Sequence, residues 1–256
     1  MTILSTHLVG VALIIGCNNI GAEAGFHIAD AGAKAVVFAD PDAKRASECS
    51  TYLNSVMKGK HKRRDYKTTH FAFKNLEKVT VRAIVNDVIA AYGQIDYVVN
   101  TIGISMGPRD VENSDMTNCC EVEAAAMLQQ ADRKFKTKKA DRQIGRGVIV
   151  NVTPANPGDS FPHYRRAGIA VTTKTALKYK SIRCNLVCPL WVRDETFEKQ
   201  YNTKSDIRKT IAEEIPCGRA AELDELADTI AFLVSPAASY INAKCLVLDG
   251  AREENV

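Results

Sequence analysis

Val11-Ala12-Leu13-Ile14-Ile15-Gly16-Cys17-Asn18-Asn19-Ile20-Gly21 is the stretch from which the rest of the chain is read. Five consecutive apolar residues predict a strand buried on both faces, because a half-exposed strand would alternate apolar with polar. A Gly/Asn turn follows, then apolar residues at helical spacing over 21–33, then a second apolar run over 35–39. Strand, helix and strand in this order form a βαβ unit, whose strands lie parallel across a right-handed crossover.

Outward from that unit the alternation continues. Strands are expected near 70–73 and at 97–99, 147–152, 183–188 and 244–248, with helices over 79–92, around 122–135, and over 164–179 and 223–234. The stretch between the strand at 183–188 and the helix at 223–234 reads as irregular. Such alternation predicts an α/β fold, a doubly wound parallel sheet with helices on both faces. No internal repeat, low-complexity segment or composition shift marks a boundary. Residues 1–256 are therefore expected to form one domain, with a substrate-loop region at about 189–222.

Composition narrows the function class. The 256 residues suit one α/β domain, and 46% hydrophobic with 25% charged residues excludes a disordered chain or a small disulfide scaffold. A net charge of +4 is too slight to argue for nucleic acid or a membrane surface, so a small-molecule partner is expected. The longest apolar run, residues 9–17, falls short of the roughly 18 to 20 residues that span a bilayer. With no signal or transit pattern, a cytoplasmic protein is expected. The eight cysteines contain no Cys-x-x-Cys and the five histidines are scattered. No metal site and no disulfide framework is expected, and the thiols read as buried and free.

Four stretches, in order and spacing, carry a family resemblance: the opening Val11–Gly16; Tyr92-Gly93-Gln94-Ile95-Asp96-Tyr97-Val98-Val99-Asn100-Thr101-Ile102-Gly103; Gly147-Val148-Ile149-Val150-Asn151-Val152; and a tail from Ile215-Pro216-Cys217-Gly218-Arg219 to Val247-Leu248-Asp249-Gly250. From end to end the chain resembles the short-chain dehydrogenase/reductase family. The resemblance implies a Rossmann-like sheet, a nicotinamide cofactor, and a homodimer or homotetramer. The cofactor-binding candidates it implies are Gly16, Asn18, Ile20 and Gly21 in the phosphate turn, Asp40, Asn100, Ile102, Gly103, Pro189 and Val192.

Two departures concern the cofactor. The phosphate turn, Gly16 to Gly21, is one residue short and keeps only the outer two of three glycines, whose role is to let backbone N–H groups approach a pyrophosphate. Lys74 stands where the family places an Asp against adenine. Asp40, ending the second strand, is placed to accept from an adenosine ribose and to repel a 2′-phosphate, which favours NAD over NADP. The competing reading of Asp40-Pro41-Asp42 is a cap for the next helix.

The catalytic positions depart further. The resemblance implies that Tyr164 handles the substrate proton, but the Lys expected four residues on is Gly168, and without a cation beside it a phenol is a poor base at neutral pH. The hydroxyl that orients substrate falls on Thr153 or on Pro154, and the relay Asn is replaced by Glu123. Pro189-Leu190 replaces Pro-Gly, and Asp194 stands near the expected nicotinamide-gripping Thr. Glu123, Asp159 and His163 become alternative acids or bases if burial shifts their pKa values. Against these roles, Asp159 and His163 read as loop polarity, Glu123 as a solvated helix face and Tyr164 as a packed aromatic.

Two other motifs are weaker. Gly103-Ile104-Ser105-Met106-Gly107 has the spacing of a hydrolase nucleophile elbow, yet Pro108 and acidic residues follow it instead of a helix. The basic runs at 58–64 and 133–139 lack interleaved aromatics apart from Phe135 and read as solvated surface. Two functional expectations follow. One is an enzyme of a small carbonyl, alcohol or polycyclic metabolite, NAD(P)-type by family but turned to redox-neutral isomerisation, dehydration or cyclisation. The other is a catalytically silent NAD-binding subunit, associated with an active relative or another partner.

Overall fold

The computed structural model describes residues 6–60, 66–102, 113–137, 140–154 and 161–252, the side chains of 60, 113, 114, 161–164 and 196 excepted. Gly103, Asp159 and the elbow-like segment 103–107 lie outside the described residues, as do the side chains of His163 and Tyr164. The elements run β1 (Val11–Ile15), α1 (Asn19–Asp30), β2 (Ala35–Asp40), α2 (Ala43–Lys60), β3 (Lys67–Ala72), α3 (Lys78–Tyr92), β4 (Tyr97–Asn100) and α4 (Asn113–Met127). There follow β5 (Arg133–Lys136), β6 (Asp141–Gly145), β7 (Gly147–Val152), α5 (Phe161–Lys178), β8 (Ile182–Pro189), α6 (Glu195–Thr203), α7 (Ser205–Glu214), α8 (Leu223–Val234) and β9 (Cys245–Leu248).

Seven of the strands form one parallel sheet in the order β3-β2-β1-β4-β7-β8-β9. The chain thus builds outward from β1 in one direction, returns, and builds outward in the other. That reversal opens a crevice at the carboxyl ends of β1 and β4, where doubly wound sheets bind ligands. The apolar runs are explained by two cores. Ala12 and Ile14 face the α1 and α8 side with Leu226, Ile230 and Leu233, while Val11, Leu13 and Ile15 face the α3, α4 and α5 side with Val85, Val88 and Val122. No helix among the described residues is long and apolar enough to cross a membrane.

The helix expected around 122–135 is corrected: α4 stops at Met127, and Arg133 onward is a hairpin of β5 and β6. Arg133 donates to Asp96 at 2.6 Å and lies over the Tyr97 ring, so this basic run is partly held by the main sheet. Asp96 also accepts from the Val11 amide at 2.8 Å. The hairpin therefore hangs from the amino ends of β1 and β4, opposite the crevice. The irregular stretch is corrected as well. It holds α6 and α7, which bury Phe197, Ile211 and Ile215 in a third, small cluster with Trp191 and Tyr201.

At the far side of the sheet, the buried Arg183 of β8 donates to the carbonyls of Leu233 at 2.8 Å and Ser235 at 3.1 Å. It satisfies the carbonyl end of α8, where a cation is favoured by the helix dipole.

Candidate active site

The crevice begins at the phosphate turn. Gly16 has φ +97°, and a Cβ on Gly21 would lie 2.0 Å from the Gly16 carbonyl oxygen, so the two outer glycines close the shortened turn upon each other. Asn18 caps α1 by accepting from the Gly21 amide at 2.8 Å, and its own amide donates to the Thr101 carbonyl at 3.2 Å. Thr101, just past β4, donates its hydroxyl to Gly16 O at 2.8 Å. The N–H groups of Asn19 and Ile20, first in α1, have no acceptor among the described residues. Two free amides at the positive end of a twelve-residue helix suit an anion such as a pyrophosphate.

Asp40 sits behind the turn with only 1% of its surface exposed. One carboxylate oxygen accepts from the Cys17 amide at 2.6 Å and the other from the Asp42 amide at 2.8 Å, with Arg45 at 3.7 Å. The same carboxylate thus holds the turn's backbone and starts the connection to α2. The helix-cap reading of this region belongs to Asp42, which accepts from the Lys44 and Arg45 amides. Ile102 is buried beside Gly16, and Pro189 ends β8. Val192 bridges in parallel to Ala221.

The opposite wall is made by β4, β7, β8, α4 and α5. Glu123 is 1% exposed and receives one hydrogen bond, from Asn100 at 3.1 Å; its second carboxylate oxygen has no partner among the described residues. Burial pushes its pKa up to about 8, against a smaller opposing effect of the Asn100 bond. At neutral pH this is a protonated acid. The expectation of a solvated helix face is corrected, since the α4 face that carries Glu123 packs on the sheet. From Asn100 the network passes at 3.1 Å to Asn151, and on from Asn151 to Thr172 at 3.0 Å and the Cys120 and Cys184 sulfurs.

Thr153 is buried, and its hydroxyl lies 3.3 Å from the Cys188 sulfur, which in turn lies 3.4 Å from that of Cys245. Contact with Cys245 and then burial push the Cys188 thiol up, while Thr153 and the positive charge of Arg165 oppose the rise. Arg165 thus acts electrostatically on the end of β8. Gly168 faces the same place from α5: a Cβ there would meet Leu186 Cδ2 and Thr153 Cγ2, each at 3.1 Å. Any side chain at 168 has to displace two neighbours.

Several contacts were not in the sequence reading. Asn19 reaches Asp194 at 3.4 Å, joining the phosphate turn to the segment after β8, and Asp194 also caps α6 by accepting from the Phe197 amide at 2.7 Å. Cys188, Cys245 and Thr101 were likewise unassigned. Only Thr101 had a local signal, following Asn100 at the end of β4. A cavity of about 330 Å³ lies away from these groups, among Trp191, Ile215, Cys217, Arg219, Glu225 and Val247, and holds none of the sequence candidates.

The family model described as Enoyl-(Acyl carrier protein) reductase matches residues 17–251. A curated relative, Short-chain dehydrogenase anuF of Penicillium roqueforti (strain FM164), is 28% identical over 271 residues, covering 96% of this chain and 97% of its own. The crystal structure of hydroxysteroid dehydrogenase from Escherichia coli superposes with TM-score 0.78 at 20% identity, over 98% of this chain and 99% of that one. A gluconate 5-dehydrogenase from Burkholderia cenocepacia J2315, solved with NADP and tartrate, gives TM-score 0.76 at 20% identity over 99% of both chains. At this identity the two structures speak to the fold.

Proposed function

This chain belongs to the short-chain dehydrogenase/reductase family, and on that premise we propose that it is a single-domain, NAD-binding enzyme turned to redox-neutral proton transfer. Its substrate would be a small carbonyl, alcohol or polycyclic metabolite, enclosed by the region at about 189–222, and the reaction an isomerisation, dehydration or cyclisation. The observation that carries this reading is Gly168. The family's lysine would both lower the pKa of Tyr164 and hold the nicotinamide ribose, and here its place offers no cation while Leu186 and Thr153 stand 3.1 Å from where a side chain would begin.

The residues present fit a dinucleotide at its pyrophosphate. The Asn19 and Ile20 amides would take that group, and the charge of Asp40, which holds the Cys17 amide of the turn, would disfavour the 2′-phosphate of NADP. When bound, the cofactor supplies a nicotinamide ring able to exchange hydride. The chain's own contribution at that end is proton chemistry, with Tyr164 as the candidate to touch substrate and Glu123 positioning Asn100 from beneath. Sealed at 1% exposure, Glu123 acts through β4. Asp159 and His163 remain proposed alternatives for moving the proton. We place the enzyme in the cytoplasm as a homodimer or homotetramer.

Calorimetric titration with NAD, NADH, NADP and NADPH tests the first half. The expected result is binding of the unphosphorylated pair at least tenfold tighter; silence with all four overturns it. The second half predicts solvent deuterium entering a carbonyl substrate without absorbance change at 340 nm, and loss of that exchange in Tyr164→Phe. Steady NADH formation overturns it. A second reading, a catalytically silent subunit, is favoured by one observation: Thr153 is buried and its hydroxyl is engaged by Cys188. Binding of NAD with no exchange on any carbonyl, alone or with an active relative added, would select it.

A further inference from the structure

In a parallel sheet every strand starts at the same edge, so each connection that leads into a strand delivers its residues to the edge opposite the crevice. Six lysines stand there. Lys34 precedes β2, Lys67 opens β3, Lys134 and Lys136 alternate along β5 of the hairpin, and Lys180 and Lys244 precede β8 and β9. All six are exposed, and none enters an ion pair among the described residues. The acids of this edge are partly taken: Asp96 is buried against Arg133, and Asp132 pairs with Arg146 at 3.2 Å. Asp30 and Asp141 are exposed as well, two carboxylates against six ammonium groups. That excess alone equals the net charge of +4 of the whole chain, so the imbalance sits at one edge instead of being spread over the surface.

The same edge exposes two large apolar side chains, Val9 before β1 and Tyr240 before β9, at 57% and 102% of their full surface. Seven strands about 4.8 Å apart make the edge about 30 Å wide, room for several lipid headgroups at once. The composition selects among anionic partners. Protein interfaces favour arginine and aromatic residues and are depleted of lysine. Single-stranded nucleic acid is held by aromatic rings free to stack, whereas Phe135, the aromatic residue of the hairpin, is covered by the Arg142 guanidinium at 5.5 Å. An anionic bilayer asks for neither feature. It attracts each lysine separately as a point charge, and its headgroup layer accepts tyrosine and small apolar side chains.

We propose that this edge docks the protein on an anionic lipid surface, reversibly and without insertion of a helix, leaving the crevice at the opposite edge turned to the water. Charge is the larger part of the attraction, because two apolar side chains are a weak anchor on their own. The proposal does not rest on the NAD site.

Co-sedimentation of the full-length protein with lipid vesicles tests it. Phosphatidylcholine vesicles in which one lipid in three is phosphatidylserine are expected to carry down at least tenfold more protein than vesicles of phosphatidylcholine alone. Raising the salt from about 0.1 M to about 1 M should release it, as the Debye length falls from about 10 Å to about 3 Å. Lys134→Glu combined with Lys136→Glu is expected to weaken partition at least tenfold. Lys199→Glu combined with Lys209→Glu makes the same change in net charge at exposed positions of α6 and α7, away from this edge, and should stay within about threefold. Equal losses in the two double variants would mean that net charge alone acts, and overturn the docking edge. Failure of the parent to bind the anionic vesicles, or equal binding to both kinds of vesicle, overturns it too. Tighter binding to a single-stranded oligonucleotide or to polyglutamate than to the vesicles, at equal anion concentration, overturns it in favour of that partner.

Discussion

At the β1–β2 end of the carboxyl rim, charged and polar side chains are spent on backbone: Asp40 accepts two amides, Asn18 caps a helix, and Thr101 ties down Gly16. At the β7–β8 end they face one another instead, Glu123 with Asn100, Asn100 with Asn151, Thr153 with Cys188, and two buried oxygens, Glu123 Oε1 and Asn100 Oδ1, have no partner among the described residues. The first end is a backbone turn held rigid from three sides. The polar groups of the second form a sealed network. On the function proposed above, the first end is the binding half and the second the chemical half.

The largest effect is expected where the binding half is tightest. Gly21→Ala should gain about 1 kcal/mol from helix propensity, but its methyl would lie 2.0 Å from the Gly16 carbonyl oxygen, a backbone atom that cannot swing away. The clash should win, with a net loss of about 4 kcal/mol or failure to fold. Urea denaturation measures it. An alanine variant as stable as the parent would mean that the turn is loose and the contrast between the halves is overdrawn.

Next comes Glu123. Its carboxyl has pKa about 8 in the folded protein against an ordinary value of 4.5, so between those values the folded state holds a proton that the unfolded state has released. Stability is therefore highest below pH 4.5 as far as this group is concerned, falls as pH rises, and levels off above pH 8. Glu123→Gln keeps an acceptor for Asn100 and removes the titration. It should match the parent near pH 5 and exceed it by a few kcal/mol at pH 9. Denaturation at pH 5, 7 and 9 checks this, and parallel curves for the two proteins would show that Glu123 is solvated.

Gly168→Lys probes the chemical half from the other side. The new side chain must push Leu186 and Thr153, now 3.1 Å from its Cβ, and should cost about 1–3 kcal/mol. It should not restore hydride transfer alone, since Thr153 still bonds Cys188. Appearance of NADH-linked turnover in this single variant would show that the site is one residue from its relatives.

How much of this was legible follows from sequence distance. β1, β2, β4, β7 and β8 were found because each is a continuous apolar run, and Gly16 and Asp40 because they stand at the ends of such runs, whereas Gly168 was singled out by the family resemblance alone, four residues after Tyr164. The hairpin was not, because Arg133-Lys134-Phe135-Lys136 follows an apolar helix without a Gly or Pro to stop it. The sulfur contacts were out of reach for another reason. Cys188 and Cys245 meet only after the sheet is assembled, and no local pattern records a contact made across strands. Whether Thr153 or Pro154 stands at the hydroxyl position turns on one residue of alignment, which the contact of Thr153 with Cys188 does not decide.

The smallest effect tests whether the halves communicate. Among the described residues, the Asn19 side chain at 3.4 Å from Asp194 joins the phosphate turn to the segment after β8. An exposed bond of that length contributes little, and Asn19→Ala should change stability by less than about 0.5 kcal/mol. Asp194 would still cap α6 through the Phe197 amide, so that helix should keep its start. If the halves are independent, NAD affinity should move by less than about threefold, or roughly 0.6 kcal/mol. A tenfold change in calorimetric titration, at unchanged stability, would mean that this contact couples the phosphate turn to α6, and that the chemical half governs how the binding half takes NAD.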